Sequence, residues 1–380
     1  MRFDTKLVHS GHPSTPGTGD IVPPVHLATT YDRFAQDPPR FFYSRGENPT
    51  REALEECLAS LEDASFCRVF SSGQAAAAAA VSLLAPGDRL VSSDDVYGGT
   101  YALFATLSRR GIEVEYADLT DRTVLDRALA AETAMVWVET PSNPMLKIAD
   151  LVEVGELAHR RGALVVVDNT FAGPVLQRPL ALGADVTLYS TTKFIAGHSD
   201  VLGGALVYDS AELHARFSEH RTVTGGVPGG LDCFLVHRGL KTLSLRVARQ
   251  GETARLLAET LCASTAVGAV HYPGLPSHPR YRLAGRQMAG PGSLISFRYR
   301  GDPEKLLART RLFACAVSLG GVRSLIECPA LMTHRPMSPA ARRAAGITDD
   351  LIRLSVGIED PADLVEDLTT ALEPSEEDAA

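Results

Sequence analysis

Along this chain, short unbroken apolar runs alternate with longer segments whose apolar positions recur at helical spacing. Strand-like runs fall at 89–92, 113–116, 134–138, 163–167, 186–189 and 205–208, and helix-competent stretches at 102–110, 123–131 and 148–161 separate most of them. An apolar run with no polar alternation suits a strand buried on both faces. The alternation predicts an α/β fold with a mostly parallel, doubly wound sheet in a large domain and helices on both of its faces. Ahead of it, Leu54, Leu58 and Leu61 stand at helical spacing within 51–62, which predicts an amphipathic helix. Residues 1–45 are rich in Pro, Gly and Thr, and His12-Pro13, Pro16-Gly17 and Pro23-Pro24 break any helix, so an extended N-terminal arm is expected, with Thr29-Thr30-Tyr31 and Phe41-Phe42-Tyr43 as anchors. Beyond Tyr208, the Gly-rich 225–230 loop precedes a long helix-like run to Leu261, and 293–299 alternates like a strand. This divides the chain into an arm (1–45), a large domain (46–245) and a smaller α/β C-terminal domain (246–380).

The residues at which the apolar runs stop are informative. The run Leu164 to Val167 stops at Asp168, and Val186 to Tyr189 runs into Ser190, Thr191, Thr192 and Lys193. Open α/β sheets bind ligands at the carboxyl edge, so an acid, several hydroxyls and an amine are expected around one crevice. Pyridoxal 5'-phosphate (PLP) requires a lysine for a Schiff base, a carboxylate to keep its ring nitrogen protonated, and hydroxyls or N–H groups for its phosphate. Lys193, Asp168, and Ser190 with Thr192 would fill those posts. An acid ending a parallel strand equally suits a ribose or a magnesium ion. Small residues at 71–80 would let a helix start approach an anion, helped by the helix dipole. A P-loop and a dinucleotide fingerprint are disfavoured, because neither glycine pattern is present.

Composition narrows the classes. A net charge of −9 argues against nucleic acid as partner, since phosphate binding depends on clustered Lys and Arg. Part of that acidity sits in Glu376, Glu377 and Asp378, read as a frayed end. The longest apolar stretch, near 75–85, is too short to span a bilayer, and Met1 to Gly11 lacks an apolar signal core. Six cysteines without a C-x-x-C pair indicate neither a zinc site nor a disulfide framework. A soluble enzyme of a reduced, cytoplasmic compartment is expected, with no metal and no membrane partner.

Val-Asp-Asn-Thr-Phe (167–171), Ser-Thr-Thr-Lys (190–193) and Gly-His-Ser-Asp (197–200) resemble the Cys/Met metabolism, or transsulfuration, family of PLP-dependent enzymes. That family includes cystathionine γ-synthase, cystathionine γ-lyase, cystathionine β-lyase, methionine γ-lyase and the O-acylhomoserine sulfhydrylases, and the likeness runs over nearly the whole chain. It implies fold type I, PLP on Lys193, and Gly73 and Gln74 in the phosphate cradle. It further implies Tyr97 stacked on the pyridine ring and able to move protons, Asn143 near the 3'-oxygen, and Arg353 on the α-carboxylate of an amino-acid substrate. Tyr43 and Arg45 are implied to reach a neighbouring subunit's phosphate, hence a homodimer with shared sites and, by the same likeness, a tetramer. Glu47 departs from the pattern, and its carboxylate is tolerable near a phosphate only if it points away.

Ser318 and Arg323 lie in the segment implied to meet the substrate side chain. Several members carry glutamate where Arg323 stands; an arginine there would repel a distal ammonium and welcome a distal carboxylate or phosphate ester, or else it points to solvent. Methionine γ-lyases carry a cysteine beside the stacking tyrosine, where this chain has Gly98 and Gly99, which weighs against that member. The implied chemistry is γ-elimination or γ-replacement at Cγ of a sulfur amino acid or an activated homoserine. A sulfhydrylase or a β-eliminating C–S lyase stands as the alternative.

Overall fold

The computed structural model describes residues 1–12, 19–35, 37 and 40–373. Pro13, Pro16, Gly17 and the acidic tail Glu376, Glu377 and Asp378 lie outside the described residues. Seven strands form the larger sheet: β1 (Phe66–Phe70), β2 (Arg89–Ser93), β3 (Glu113–Ala117), β4 (Met135–Glu139), β5 (Leu164–Asp168), β6 (Val186–Tyr189) and β7 (Gly204–Tyr208). Their order is β1-β7-β6-β5-β4-β2-β3, with β2 through β6 paired in parallel and β7 antiparallel to both its neighbours. Each strand expected from the hydrophobic pattern is present to within one residue at either end.

The pattern did not mark β1, because Arg68 interrupts it. Arg68 meets Glu55 at 2.6 Å from this edge strand, and so its charge is neutralised without leaving the sheet. Alternate side chains serve two cores. Trp137, Val166 and Val186 join one apolar cluster, whereas Val136, Val138, Val165 and Val167 join another, which is the doubly wound arrangement expected.

Helix starts are set by capping. In α2 (Pro49–Leu61) the Asn48 side chain accepts from the N–H groups of Thr50 and Arg51, and Pro49 fits the first position, so the helix begins two residues ahead of the expected 51. The expected arm is not extended throughout. Residues Phe3–His9 form α1, whose Leu7 is buried in the same cluster as Leu54, Cys57, Leu58 and Leu61 of α2. Farther along the arm, Ile21, Leu27, Phe34 and Phe42 are exposed.

A second, mixed sheet comprises β8 (Val267–His271), β9 (Leu294–Tyr299), β10 (Ala314–Cys315), β11 (Leu325–Glu327) and β12 (Leu351–Ser355), in the order β10-β11-β12-β9-β8. The 21-residue helix Leu243–Ala263 joins the sheets: Leu243 and Val247 belong to the first sheet's core, and Leu257 and Leu261 to the second's. The boundary expected at 245/246 therefore falls inside a continuous helix. Among the described residues no helix is long and apolar enough to cross a membrane.

One topological detail positions the chemistry. Because β7 runs antiparallel to β6, the chain can turn straight back at the carboxyl edge of the sheet without a crossover helix. The turn, residues 190–203, carries Lys193.

Candidate active site

A cavity of about 240 Å³ opens where β4, β5 and β6 end and the second sheet leans over them. Gly73, Gln74, Tyr97, Asn143, Asp168, Ser190, Thr192, Lys193, Ser318 and Arg353 line it, which brings ten of the thirteen expected residues together. Hollows of about 650 Å³ lie at the opposite edge of the large sheet and beside α1. Their larger volume carries less weight than chemistry: neither contains a buried amine opposite a buried acid.

The Lys193 amine donates to the Ser318 hydroxyl at 2.7 Å. Burial is the main cause that lowers its pKa to about 8, and the Arg353 guanidinium adds to the effect while Glu327 opposes it. The loop after it is pinned by Arg246, a buried side chain that donates to the carbonyls of Phe194, Ile195 and Gly239. Gly197 has φ +74°, and a Cβ there would stand 1.9 Å from that guanidinium, which accounts for the glycine that opens the 197–200 motif.

Asp168 is pushed up to about 6 by burial, against the hydrogen bonds from Thr170, whose N–H donates at 3.0 Å. On the other side of Lys193, α3 (Gly73–Val81) starts with Ser72 accepting from Ala75 N–H. The N–H groups of Gly73 and Gln74 are left without an intrahelical partner, which is how a helix start comes to bind an anion. A Cβ on Gly73 would lie 2.8 Å from that of Ser190, so only glycine lets the helix start and the strand end close into one cradle. The Ser190 N–H is held by the Thr170 hydroxyl at 2.9 Å, while Thr192 spends its hydroxyl on both backbone groups of Gly203.

Tyr97 stands just before α4 (Gly98–Leu107), is 40% exposed, and its N–H donates to Glu139 at 2.9 Å. Burial followed by Glu139 and Glu327 raises its phenol above the ordinary value. A Cβ on Gly99 would come within 2.4 Å of the Tyr97 ring, and one on Gly98 within 2.2 Å of the Thr333 carbonyl. Both glycines are thus needed to pack this turn.

Arg353 approaches from β12 and is only 2% exposed. It donates to the Asn143 side chain and to the Ser318 carbonyl, both at 2.9 Å, and pairs with Glu327 at 2.8 Å. Ser318 holds both cations, one through its hydroxyl and one through its carbonyl, and does so at φ +97°, a strained backbone for a serine.

Three expected residues lie elsewhere. Tyr43 is 46% exposed, and Arg45 donates to the Thr222 carbonyl at 2.6 Å; neither lines the cavity of its own chain. Glu47 points to Arg68, 3.6 Å away. Arg323 is exposed and off the cavity; Val317, on the other side of Ser318, lines it instead. The chain reverses at Gly320, φ +77°, so proximity in sequence to Ser318 does not carry Arg323 inward.

Two further residues of the site, Glu139 and Glu327, are missing from the sequence-based expectation. Glu139 carried the same signal as Asp168, an apolar run ending in an acid. Glu327 had none, because it meets Arg353 only through the pairing of β11 with β12.

The donor set fits PLP: an amine with its proton affinity lowered, a buried acid across the cavity, and a glycine-lined cradle between helix start and strand end. Comparison with known proteins agrees. The model of the Cys/Met metabolism PLP-dependent enzyme family matches residues 4–373. A cystathionine γ-synthase of Mycobacterium tuberculosis is 48% identical over 379 residues, 97% of this chain and 96% of its own. A solved structure described as a cystathione γ-lyase, CalE6 of Micromonospora echinospora, is 63% identical with a TM-score of 0.97, covering 99% of this chain and 100% of its own. A structure of apo CalE6, described as a methionine γ-lyase, is again 63% identical, with a TM-score of 0.94 over 98% of this chain and 99% of its own. Both sheets, the Lys193 turn between β6 and β7, and a match spanning nearly every residue place the chain in the Cys/Met metabolism family of PLP-dependent enzymes, with the fold type I architecture.

Proposed function

We propose that the chain is a C–S lyase that removes the γ-substituent of a sulfur amino acid, with γ-replacement on an activated homoserine as the competing branch. The observation that carries the reading is the Lys193 amine, poised on the Ser318 hydroxyl in one cavity with Asp168 and Arg353. PLP supplies, when bound, an electron sink for the negative charge that develops at the substrate Cα. Lys193 would hold it covalently, Asp168 would keep its ring nitrogen protonated, and Gly73, Gln74 and Ser190 would receive its phosphate, joined by Thr192 once its O–H turns from the Gly203 carbonyl. Tyr97 would stack on the PLP ring.

Each residue then has a task of its own. Arg353, with Asn143 and Glu327 fixing its plane, takes the substrate carboxylate and so aims the Cα–H bond. Lys193 removes the Cα proton once its amine is free, and a pKa near neutrality lets it hold or release that proton at working pH. The same amine would also take the second proton, from Cβ, whose loss expels the γ-sulfur.

Elimination is favoured over replacement because both M. echinospora structures at 63% identity carry γ-lyase descriptions. A side chain with an uncharged end, such as the methionine thioether, has a specific observation on its side. The charged residues lining the cavity, Glu139, Asp168, Lys193 and Arg353, already have tasks, and the remaining wall includes Leu202, Val317 and Leu319. The deciding experiment is steady-state turnover of methionine, cystathionine and O-acetyl-, O-succinyl- and O-phosphohomoserine, with and without cysteine. Release of ammonia and a 2-oxo acid from methionine or cystathionine supports the reading; turnover only of an acylated homoserine with cysteine present overturns it.

Tyr43 and Arg45, standing off their own cavity beside an arm with exposed Ile21, Leu27, Phe34 and Phe42, support a homodimer that shares sites, and by likeness a tetramer. Mixing inactive Arg45→Ala and Lys193→Ala chains then restores activity in hybrids; no recovery argues for self-contained sites. Cysteines without disulfide partners suit a cytoplasmic setting.

A further inference from the structure

Glu139 ends β4 as Asp168 ends β5, and the two are register partners across the parallel pair. Glu139 is 5% exposed and lines the cavity. One carboxyl oxygen accepts from the Tyr97 N–H at 2.9 Å, and the Glu139 N–H donates to the Ser93 hydroxyl at 3.2 Å. Glu139 thus reaches from the strand next to Asp168 to the backbone of Tyr97, which also lines the cavity. Tyr97 stands at the turn into α4 with φ −47° and ψ 134°, conformations that a tether to its N–H can fix.

Two carboxylates at adjacent strand ends in a low-dielectric site do not both ionise cheaply. Glu139 faces Asp168 from β5, Asp95 from the turn after β2, and Arg353 from β12. Burial first, and Asp168 second, push its carboxyl well above the ordinary range, whereas Asp168 is raised only to about 6. Burial and the neighbouring acid thus weigh against a charge on Glu139.

We propose that Glu139 is a positioning residue that holds the Tyr97 ring over the cavity through the main-chain N–H of residue 97, acting through its hydrogen bond and not through charge. This rests on the reading of the cavity as the PLP site. Glutamine reproduces the shape and the acceptor of a neutral acid; leucine keeps the bulk and removes the acceptor. The two substitutions therefore separate the tether from the charge.

The test compares holoenzyme of wild type, Glu139→Gln, Glu139→Leu, Tyr97→Ala and the Glu139→Leu/Tyr97→Ala double variant. The readouts are visible circular dichroism of the bound cofactor, kcat, KM and the pH profile. Glu139→Gln is expected to keep the dichroic band and the pH profile, with kcat/KM within about threefold of wild type. Glu139→Leu is expected to weaken the band and to lose about 30-fold to 100-fold, mostly in kcat, as a small misplacement of a ring-holding group does. The double variant should be no worse than Tyr97→Ala alone, because both changes remove one function. Should Glu139→Leu not fold, Glu139→Asp, which draws the acceptor back by one methylene, gives the same readouts. A Gln variant as damaged as the Leu variant, a shifted pH profile for Gln, or losses that add in the double variant overturns the proposal. A wild-type protein without a visible band overturns the cofactor reading instead, and the two failures are distinguishable.

Discussion

Lys193 and Arg353 are both buried cations facing one cavity, yet the chain treats them differently. The Lys193 amine meets a neutral hydroxyl, and burial brings its pKa to about 8. Arg353 is fastened by Glu327, Asn143 and the Ser318 carbonyl, so its charge is matched and its plane is fixed. On the function proposed above, the difference separates reactivity from recognition. A proton carrier works only if neither of its states is strongly preferred, whereas a carboxylate receptor must hold one charge in one orientation. The large sheet supplies the first through a buried amine that meets only a neutral hydroxyl, and the small sheet supplies the second through side chains paired across strands.

Lys193→Ala gives the largest effect and strikes the reactive wall. On the function proposed above it removes both the point of attachment and the Cα base, so turnover is expected to fall by about 10³-fold or more, and the visible band of the holoenzyme to disappear. A variant that kept its band and a tenth of its activity would move the covalent chemistry to another residue. Glu327→Ala strikes the receptor wall. Arg353 then carries a buried charge without its carboxylate, at a cost of about 3–5 kcal/mol in urea unfolding, and KM rises. Unchanged stability would mean that the pair is dispensable and would erase the contrast.

The pH dependence of apoprotein stability sharpens the same comparison. Lys193 has its pKa lowered from 10.5 to about 8 on folding, so its contribution is full above pH 10.5 and is lost as pH falls through 8. Asp168 is raised from 3.8 to about 6, so its contribution is full below pH 3.8 and is lost as pH rises through 6. Each slope amounts to roughly 3 kcal/mol. Lys193→Met should flatten the alkaline slope, and Asp168→Asn the acid one, in chemical denaturation followed across pH. Slopes that survive these substitutions would assign the linkage to other groups.

The reactive wall was legible in the sequence and the receptor wall only partly so, for a physical reason. Buried parallel strands write themselves as local apolar runs, and the residue that stops a run lies at the ligand edge. Asp168 and the 190–193 segment are read in that way, and Glu139, just ahead of the Pro-Ser-Asn-Pro turn, obeys the same rule. In the mixed sheet the partners of Arg353 come from distant segments, and no spacing announces that Glu327 will stand opposite it. Short elements were equally hard: β1 hides behind Arg68, and α1 is one short helix in a Pro- and Gly-rich leader.

The smallest effect concerns Arg323, and it tests whether sequence proximity or backbone geometry decides what reaches the substrate. Ser318 and Arg323 are five positions apart, but Gly320 at φ +77° turns the chain, leaving Arg323 exposed and Val317 at the cavity wall. Arg323→Ala should therefore alter kcat/KM by less than about twofold and stability by less than about 0.5 kcal/mol, as for an ordinary surface substitution. Val317→Glu, by contrast, places a carboxylate in the wall and should discriminate against an uncharged thioether in favour of a substrate with a distal ammonium. If Arg323→Ala instead cost tenfold or more on a substrate with an anionic end, the segment would have to close over the cavity during turnover, and Arg323 would join the receptor wall beside Arg353.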